Sequence, residues 1–170
     1  MSNKINRRTF IKTAATAGGA AAILPQTLFS SGSKRKVKVG FIGTGLRGQW
    51  MLWLASKYQE VEIPAICEID NEMIDNALKI LKDGGKTVPH VYKNGEEDFL
   101  NMLRNEELDG VYIATPWKWH HPMAVAAMKS GIHVGTEVPA ALTVEECWDL
   151  VNTSEKTGKL CMIMENVCYR

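Results

Sequence analysis

The first 59 residues of this 170-residue chain contain no aspartate or glutamate, and the first acidic residue is Glu60. Residues 1–33 therefore carry only positive charge, from four basic side chains. Removing these four from the total of 20 leaves 16 basic against 19 acidic side chains, a net charge of −3. The Lys34–Lys36 cluster is too short to be a basic patch and is interpreted as a solvated linker. The charge pattern thus indicates no nucleic-acid partner.

The N-terminal region also lacks an apolar run long enough for a membrane span. Its apolar stretch, Thr13–Leu24, is shorter than the roughly 20 residues that a spanning helix needs. It follows the paired arginines Arg7 and Arg8, and together they resemble a twin-arginine export signal. We predict that residues 1–33 are a signal and linker, and that the protein is exported, to the periplasm. An ordinary amphipathic or disordered N-terminus is the alternative, and signal cleavage or retention as an anchor stays open.

The four cysteines lack the spacing of a metal site. Cys161 and Cys168 are too far apart for a C-x-x-C pair, and no histidine nearby completes a zinc pattern. An even number of cysteines does not by itself indicate disulfides, even in an exported protein. We predict no metal site and expect Cys67, Cys147, Cys161 and Cys168 to be buried, unpaired thiols.

From residue 37 onward, strand and helix patterns alternate without repeats or low-complexity tracts. This alternation predicts an α/β fold with a doubly wound parallel sheet, in which ligands bind at the carboxyl ends of the strands. Glycines follow several predicted helices, as expected at helix C-termini. The expected strands are 37–42, 61–66, 88–92, 109–114, 132–135 and 160–164, and the expected helices are 46–58, 71–83, 96–104, 122–130 and 143–157.

The segment Val37–Gly48, with the sequence VKVGFIGTGLRG, combines a strand, a G-x-G-x-x-G turn and the start of a helix. In this context the motif predicts dinucleotide binding. Gly43 suits the tight turn, Gly45 lets the backbone approach a pyrophosphate, and Gly48 lets the helix pack on the strand. The N–H groups at the helix start then attract phosphates. We therefore predict that residues 34–170 form one Rossmann dinucleotide-binding domain.

Glu68 lies twenty residues after Gly48, at the end of the second predicted strand. An acidic side chain there accepts hydrogen bonds from the adenosine ribose hydroxyls and repels a 2′-phosphate. The spacing therefore predicts NAD rather than NADP. The alternative is that Glu68 and Asp70 only cap the helix that begins near Glu72.

Three loops at the predicted strand ends carry candidate functional residues. The first, Ala114–Pro122, holds two tryptophans and two histidines. Trp117 or Trp119 can pack against nicotinamide or ribose, and His120 can hydrogen-bond to cofactor or substrate. The alternative is that the tryptophans cover the sheet edge and a histidine caps the next helix, which we favour for the second histidine.

The second loop, Gly135–Ala140, places Glu137 beside the expected nicotinamide site, where a carboxylate can hold a sugar or ribose hydroxyl. Thr143 and Glu146 form a predicted capping box, so Glu137 is not needed for that cap.

The third loop follows the last predicted strand. Asn166 can contact the cofactor, and Tyr169 can act as acid or base, or can pack against a further domain. The ordinary tyrosine pKa of about 10 means that a base role needs a neighbouring positive charge.

Taken together, these loops resemble the Gfo/Idh/MocA superfamily, which includes glucose-fructose oxidoreductase and inositol dehydrogenase. That superfamily usually carries Glu-Lys-Pro after the fifth strand, and its lysine assists hydride transfer at an alcohol carbon. Here the tripeptide is Glu137-Val138-Pro139. The departure argues against simple alcohol dehydrogenation, because the lysine that would polarise the hydroxyl is missing.

Four segments more specifically resemble glycoside hydrolase family 109, the NAD-dependent α-N-acetylgalactosaminidases. They are GTGLRG, TPWKWHHPMAVAAM, GTEVPAALTVEECWDLV and MENVCYR. The resemblance implies that a C-terminal α/β substrate domain lies beyond Arg170, so that these residues are the cofactor half and are inactive alone. It also implies an NAD site, with Tyr169 at its mouth, lined by Leu46, Arg47, Glu68, Trp117, Lys118, Trp119, His120, Glu137, Val138 and Asn166.

The resemblance further implies a redox-assisted elimination on a terminal N-acetylgalactosamine of a glycan. NAD+ takes hydride from C3, a base removes the C2 proton, the C1 aglycone leaves, water adds, and the hydride is returned. Tyr169, Glu137 and His120 are the candidate catalytic residues. The alternatives are an NAD-dependent sugar or polyol dehydrogenase and a non-catalytic NAD-binding module; a homo-oligomer is compatible with each.

Overall fold

The computed structural model describes residues 35–165. The predictions for the twin-arginine segment, Asn166, Cys168 and Tyr169 concern residues outside this range.

Strand and helix alternate as the sequence predicts. The strands are β1 (Val37–Ile42), β2 (Val61–Glu62), β3 (Ala65–Cys67), β4 (His90–Tyr92), β5 (Gly110–Ile113), β6 (His133–Thr136) and β7 (Cys161–Ile163). The helices are α1 (Leu46–Ser56), α2 (Asn71–Asp83), α3 (Phe99–Asn105), α4 (His120–Lys129) and α5 (Val144–Thr157), with a 3₁₀ turn at Trp117–Trp119.

Two element boundaries differ from the prediction in ways that affect the site. The expected strand 61–66 is split into β2 and β3, because Pro64 has no N–H to donate to a sheet ladder. Helix α4 begins at His120, two residues before the expected start at Pro122. His120 therefore belongs to the first turn of a helix rather than to the preceding loop.

All strand pairs in the sheet are parallel, in the order β4-β3-β1-β5-β6-β7, and β2 pairs with β1. After β1 the chain first builds outward through β3 and β4, and then returns to add β5, β6 and β7 on the other side of β1. The direction therefore reverses between β1 and β5. In doubly wound sheets, this switch point opens a crevice at the carboxyl ends of the strands.

Helices cover both faces of the sheet, which explains why the buried strand positions are mostly apolar. Successive residues of a strand point to opposite faces, so Phe41 packs with Leu52 of α1, whereas its neighbour Ile42 joins the core beneath α3 and α4. No helix within residues 35–165 is both long and apolar enough to cross a membrane.

Candidate functional site

The glycine turn between β1 and α1 has the geometry that each of its three glycines was predicted to allow. Gly43 has φ +85°, where a side chain is strained, and a Cβ there would lie 2.6 Å from the Ala114 carbonyl oxygen. A Cβ on Gly48 would lie 2.2 Å from the Gly43 carbonyl oxygen, so only glycine lets α1 pack on the turn. At Gly45, by contrast, a Cβ would meet no heavy atom of the described residues within 4 Å.

The open space beside Gly45 is part of a crevice of about 550 Å³ at the switch point of the sheet. Helix α1 begins at this crevice, and in residues 35–165 no side chain caps its N-terminus and no acid occupies its first turn. The helix end can therefore receive a phosphate on its backbone N–H groups. Six of the sequence-predicted residues line the crevice: Gly43, Gly45, Leu46, Arg47, Glu68 and Trp119.

Backbone N–H groups hold the Glu68 carboxylate at the crevice wall. Oε2 accepts from Thr44 N at 2.7 Å, and Oε1 accepts from Ile69 N at 2.8 Å and Asp70 N at 3.1 Å. The capping alternative holds for Asp70 alone, whose carboxylate accepts from two N–H groups in the first turn of α2. Glu68 therefore lies in the crevice wall with its carboxylate held by the backbone, and its contact with the ribose stays a prediction.

Glu137 forms a buried network with two residues that the sequence does not connect to it. Its Oε1 accepts a hydrogen bond from Arg47 Nε at 2.7 Å and another from the Tyr112 hydroxyl. Glu137 is 8% exposed. The hydrogen bond between Glu137 and Arg47 raises the pKa of the Arg47 guanidinium. Burial first, and then the bond to Glu137, raise the pKa of the Tyr112 phenol.

The pattern around Tyr112 explains why the sequence gives no sign of its part in this network. Tyr112 lies in the apolar strand β5 and is 5% exposed, so it resembles any core residue. Only the alignment of β5 with β6, in which Tyr112 is paired with Gly135, brings its hydroxyl near Glu137.

The structure contradicts the prediction that the His120 side chain contacts cofactor or substrate. The residue is 1% exposed. Its Nδ1 lies 2.7 Å from the Pro139 carbonyl oxygen and its Nε2 lies 2.7 Å from the Thr115 carbonyl oxygen. Because α4 begins at His120, the ring points into the fold and joins two loops there. His120 therefore holds the backbone of the site together and offers no nitrogen to a ligand.

The other side chains in the loop after β5 and at the start of α4 differ in whether they line the crevice. Trp119 lines the crevice and packs edge-on against Phe99, with ring centroids 6.1 Å apart. Trp117, 63% exposed, and Lys118 lie outside the crevice lining. His121 does not cap α4; its Nε2 lies 2.9 Å from Asp149 Oδ2, joining α4 to α5.

The loop after β6 leads through Val138 and Pro139 to the cap of α5. The Thr143 hydroxyl accepts a hydrogen bond from Glu146 N at 3.2 Å, as predicted. The Glu146 carboxylate, however, accepts from Leu142 N and not from Thr143 N, so the second bond of the capping box is not formed. Val138 is 39% exposed, does not line the crevice, and precedes Pro139 through a cis peptide bond.

The cysteines only partly match the expectation of buried thiols. Cys67 is buried and lines the crevice, Cys161 is partly buried, and Cys147 is exposed, so the expectation is wrong for Cys147. Burial raises the pKa of the Cys67 thiol to about 12. None of these three is joined to another described cysteine, and residues 35–165 contain no cluster of three potential metal ligands.

A parallel sheet with a switch-point crevice, an uncapped helix N-terminus and an open glycine backbone defines a dinucleotide-binding Rossmann domain. The chain belongs to the Gfo/Idh/MocA oxidoreductase family, whose NAD-binding Rossmann fold matches residues 37–165. The space over Gly45 and the fixed carboxylate of Glu68 fit NAD, the cofactor of this family.

Relatives of this chain include proteins described as glycosidases. A glycosyl hydrolase family 109 protein of Parabacteroides distasonis is 47% identical over 180 residues, covering 96% of this chain and 39% of the relative. An α-N-acetylgalactosaminidase of Tannerella forsythia is 46% identical over 183 residues, with 96% and 39% covered. The chain thus spans about two-fifths of the length of these curated relatives.

Solved structures share the fold. An NAD-binding protein from Listeria innocua has a TM-score of 0.65 and 26% identity, covering 79% of this chain and 37% of that one. A scyllo-inositol dehydrogenase from Lactobacillus casei, with bound NAD(H) and scyllo-inositol, has a TM-score of 0.66 at 24% identity, with 76% and 36% covered. At that identity the second likeness concerns the fold alone.

Proposed function

We propose that this chain is the cofactor-binding part of an NAD-dependent glycosidase that cleaves terminal α-linked N-acetylgalactosamine from glycans. The similarity to the Tannerella forsythia and Parabacteroides distasonis proteins supports this assignment. The observation that carries it is the composition of the loop after β6, where Val138 follows Glu137. A valine has no amine to polarise a hydroxyl, so these residues do not equip the site for simple alcohol dehydrogenation.

Residues of the crevice lining, together with Glu137 in the loop after β6, which does not itself line the crevice, would bind different parts of the cofactor. Glu68 would accept hydrogen bonds from the adenosine ribose, and the backbone at Gly45 with the start of α1 would bind the diphosphate. Glu137 would lie at the nicotinamide end, because β6 is on the opposite side of β1 from β3. Arg47 and Tyr112 both bond to Oε1 of Glu137, so Oε2 would be the oxygen that accepts a hydroxyl of the ribose or of the sugar.

When bound, NAD+ would supply a hydride acceptor for C3 of the sugar, and the proposed reaction would involve no net oxidation because the hydride would be returned to the sugar. The proposed elimination also needs a base for the proton on C2. Among the described residues, Glu137 is already bonded to two donors and His120 is buried, so neither is assigned this role. Tyr169, outside the described residues, stays the candidate.

The test is an assay of the full-length gene product on a nitrophenyl α-N-acetylgalactosaminide in deuterated water. We expect nitrophenol release with no accumulation of NADH, and deuterium at C2 of the released sugar, because the C2 proton is lost and replaced. Release without deuterium would rule out the elimination. NADH rising in step with product would instead indicate a sugar or polyol dehydrogenase, and NAD binding with no turnover would indicate a non-catalytic module.

We also propose that residues 1–33 direct export by the twin-arginine route. Replacing Arg7 and Arg8 together with lysine keeps the charge but removes the arginine pair. Cell fractionation should then find the protein retained in the cytoplasm. The matched control, Lys4→Arg, should leave export unchanged, and export of the Arg7→Lys, Arg8→Lys variant would refute the proposal.

A further inference from the structure

Two loops that leave the sheet from separated strands meet at the rim of the crevice. One follows β4 and carries Gly95 and Glu96; the other follows β5 and carries the 3₁₀ turn Trp117–Trp119. Strands β3 and β1 lie between β4 and β5 in the sheet, so the loops start about 14 Å apart, three strand spacings. Gly95, Glu96 and Trp119 all line the crevice. Both loops therefore form part of the crevice wall.

Two separate contacts join these loops. The Trp119 ring packs edge-on against Phe99, the first residue of α3. Lys118 Nζ lies 3.6 Å from Glu96 Oε1 and 5.4 Å from the centroid of the Trp119 ring. The Lys118 ammonium group therefore lies over the Trp119 ring of its own loop and pairs with Glu96 of the other loop.

The backbone on either side of the ion pair is held in place. Asp98, 4% exposed, accepts a hydrogen bond from Asn94 N at 2.8 Å, and hydrogen bonds from Asn101 and Asn94 lower its carboxyl pKa. Gly95 has φ +113°, a conformation that favours glycine. On the other loop, the packing of Trp119 fixes the turn. The side chains of Lys118 and Glu96, 64% and 55% exposed, are the parts of this contact that can separate without disturbing the core.

We propose that Glu96 and Lys118 are positioning residues whose ion pair forms a latch between the two loops at the adenosine end of the crevice and slows the exchange of NAD. Glu96 follows β4, which neighbours β3, the strand that carries Glu68 at its end, so the latch lies at the adenosine end. Its assignment rests on NAD binding, and its purpose rests on the proposed glycosidase, which reuses one cofactor molecule in every turnover.

A latch has a kinetic signature that a direct cofactor contact lacks. NAD has to pass the same barrier on entry and on exit, so opening the latch raises association and dissociation rates together and leaves the equilibrium affinity nearly unchanged. Exposed ion pairs are weak, so the expected rise in both rates is about two- to fivefold. Because salt screens exposed charges, the rates of the unmodified protein should rise toward those of the variants at high ionic strength.

The experiment measures NAD association and release by stopped-flow fluorescence in the full-length gene product. Glu96→Gln and Lys118→Gln should each raise both rates, and the double variant should raise them no further. The variant with the two charges swapped, Glu96→Lys with Lys118→Glu, should bind and release NAD slowly again. Glu97→Gln, which removes the same charge one residue along the same loop, is the matched control and should behave as the unmodified protein does.

Two results would overturn the latch. If Lys118→Gln weakens equilibrium affinity while Glu96→Gln changes nothing, then Lys118 contacts the cofactor directly and no latch exists. If the single variants exchange NAD as slowly as the unmodified protein, the ion pair does not limit exchange. Neither measurement depends on glycosidase activity, so a failure of the latch is distinguishable from a failure of the proposed function.

Discussion

Arg47 Nε donates a hydrogen bond to Glu137 Oε1 at 2.7 Å, although the two residues are 90 positions apart in the sequence. The bond joins the first turn of α1 to the residue that follows β6. It therefore connects the helix end that would bind the diphosphate with the loop at the nicotinamide end. The Tyr112 hydroxyl, on β5, donates to the same oxygen.

Replacing Glu137 with glutamine should lower both stability and NAD affinity. A neutral amide keeps the shape but loses the charge-assisted bond to Arg47, at a cost of about 1–2 kcal/mol in the free energy of unfolding. Urea denaturation measures this change, and calorimetric titration with NAD measures the affinity. Glu145→Gln, at an exposed site in the first turn of α5, is the control. A Glu137→Gln variant as stable as that control would contradict the network.

Two glycine substitutions should separate folding from cofactor binding. Gly45→Ala adds a methyl group into open space at φ −63°, so the thermal midpoint should hardly change, but the methyl group occupies the approach of the diphosphate. NAD affinity should fall by about tenfold or more, a loss of roughly 1.4 kcal/mol or more. Gly48→Ala places its Cβ 2.2 Å from a carbonyl oxygen and should destabilise the fold itself. Equal thermal midpoints for the two variants would refute this distinction.

Glu68 should control the preference for NAD over NADP. Glu68→Gln removes the charge that repels a 2′-phosphate and leaves a single acceptor oxygen. The ratio of NAD to NADP affinity should decrease by about tenfold, corresponding to about 1.4 kcal/mol. Competition binding with both nucleotides measures this ratio, and Asp75→Asn, on the exposed side of α2, serves as a control for charge. An unchanged ratio would mean that another group discriminates between the nucleotides.

The cysteines should react in order of their exposure. The thiolate is the reactive form, and burial raises the pKa of the Cys67 thiol to about 12, so almost none is present at neutral pH. Iodoacetamide followed by peptide mass spectrometry should modify Cys147, which is exposed, and spare Cys67 until denaturant is added. Rapid modification of Cys67 in the folded protein would show that this part of the crevice wall opens.

Alkaline pH should destabilise the domain through two tyrosines. Burial and hydrogen bonds to carboxylates raise the pKa of Tyr92 to about 12 and also raise that of Tyr112. A raised phenol pKa contributes stability that is present below the unfolded value of about 10 and is lost as the pH rises through the folded value. Thermal midpoints should therefore fall above about pH 10, and less steeply in Tyr112→Phe. If the thermal midpoint of Tyr112→Phe falls with pH as steeply as that of the unmodified protein, Tyr112 does not contribute to this loss of stability.

Features of this domain whose causes are local could be predicted from the amino-acid sequence. The first strand, the glycine turn and the start of α1 lie within a dozen residues, so local turn geometry is enough to predict them. Glu68 is predictable because one helix and one strand fix its distance from the glycines. The contacts between distant residues could be found only in the folded chain: Arg47 and Tyr112 with Glu137, Lys118 with Glu96, and His120 with two backbone carbonyls. Such contacts depend on the order and register of the strands. Hydrophobic periodicity shows that a strand exists but does not show which strand lies beside it.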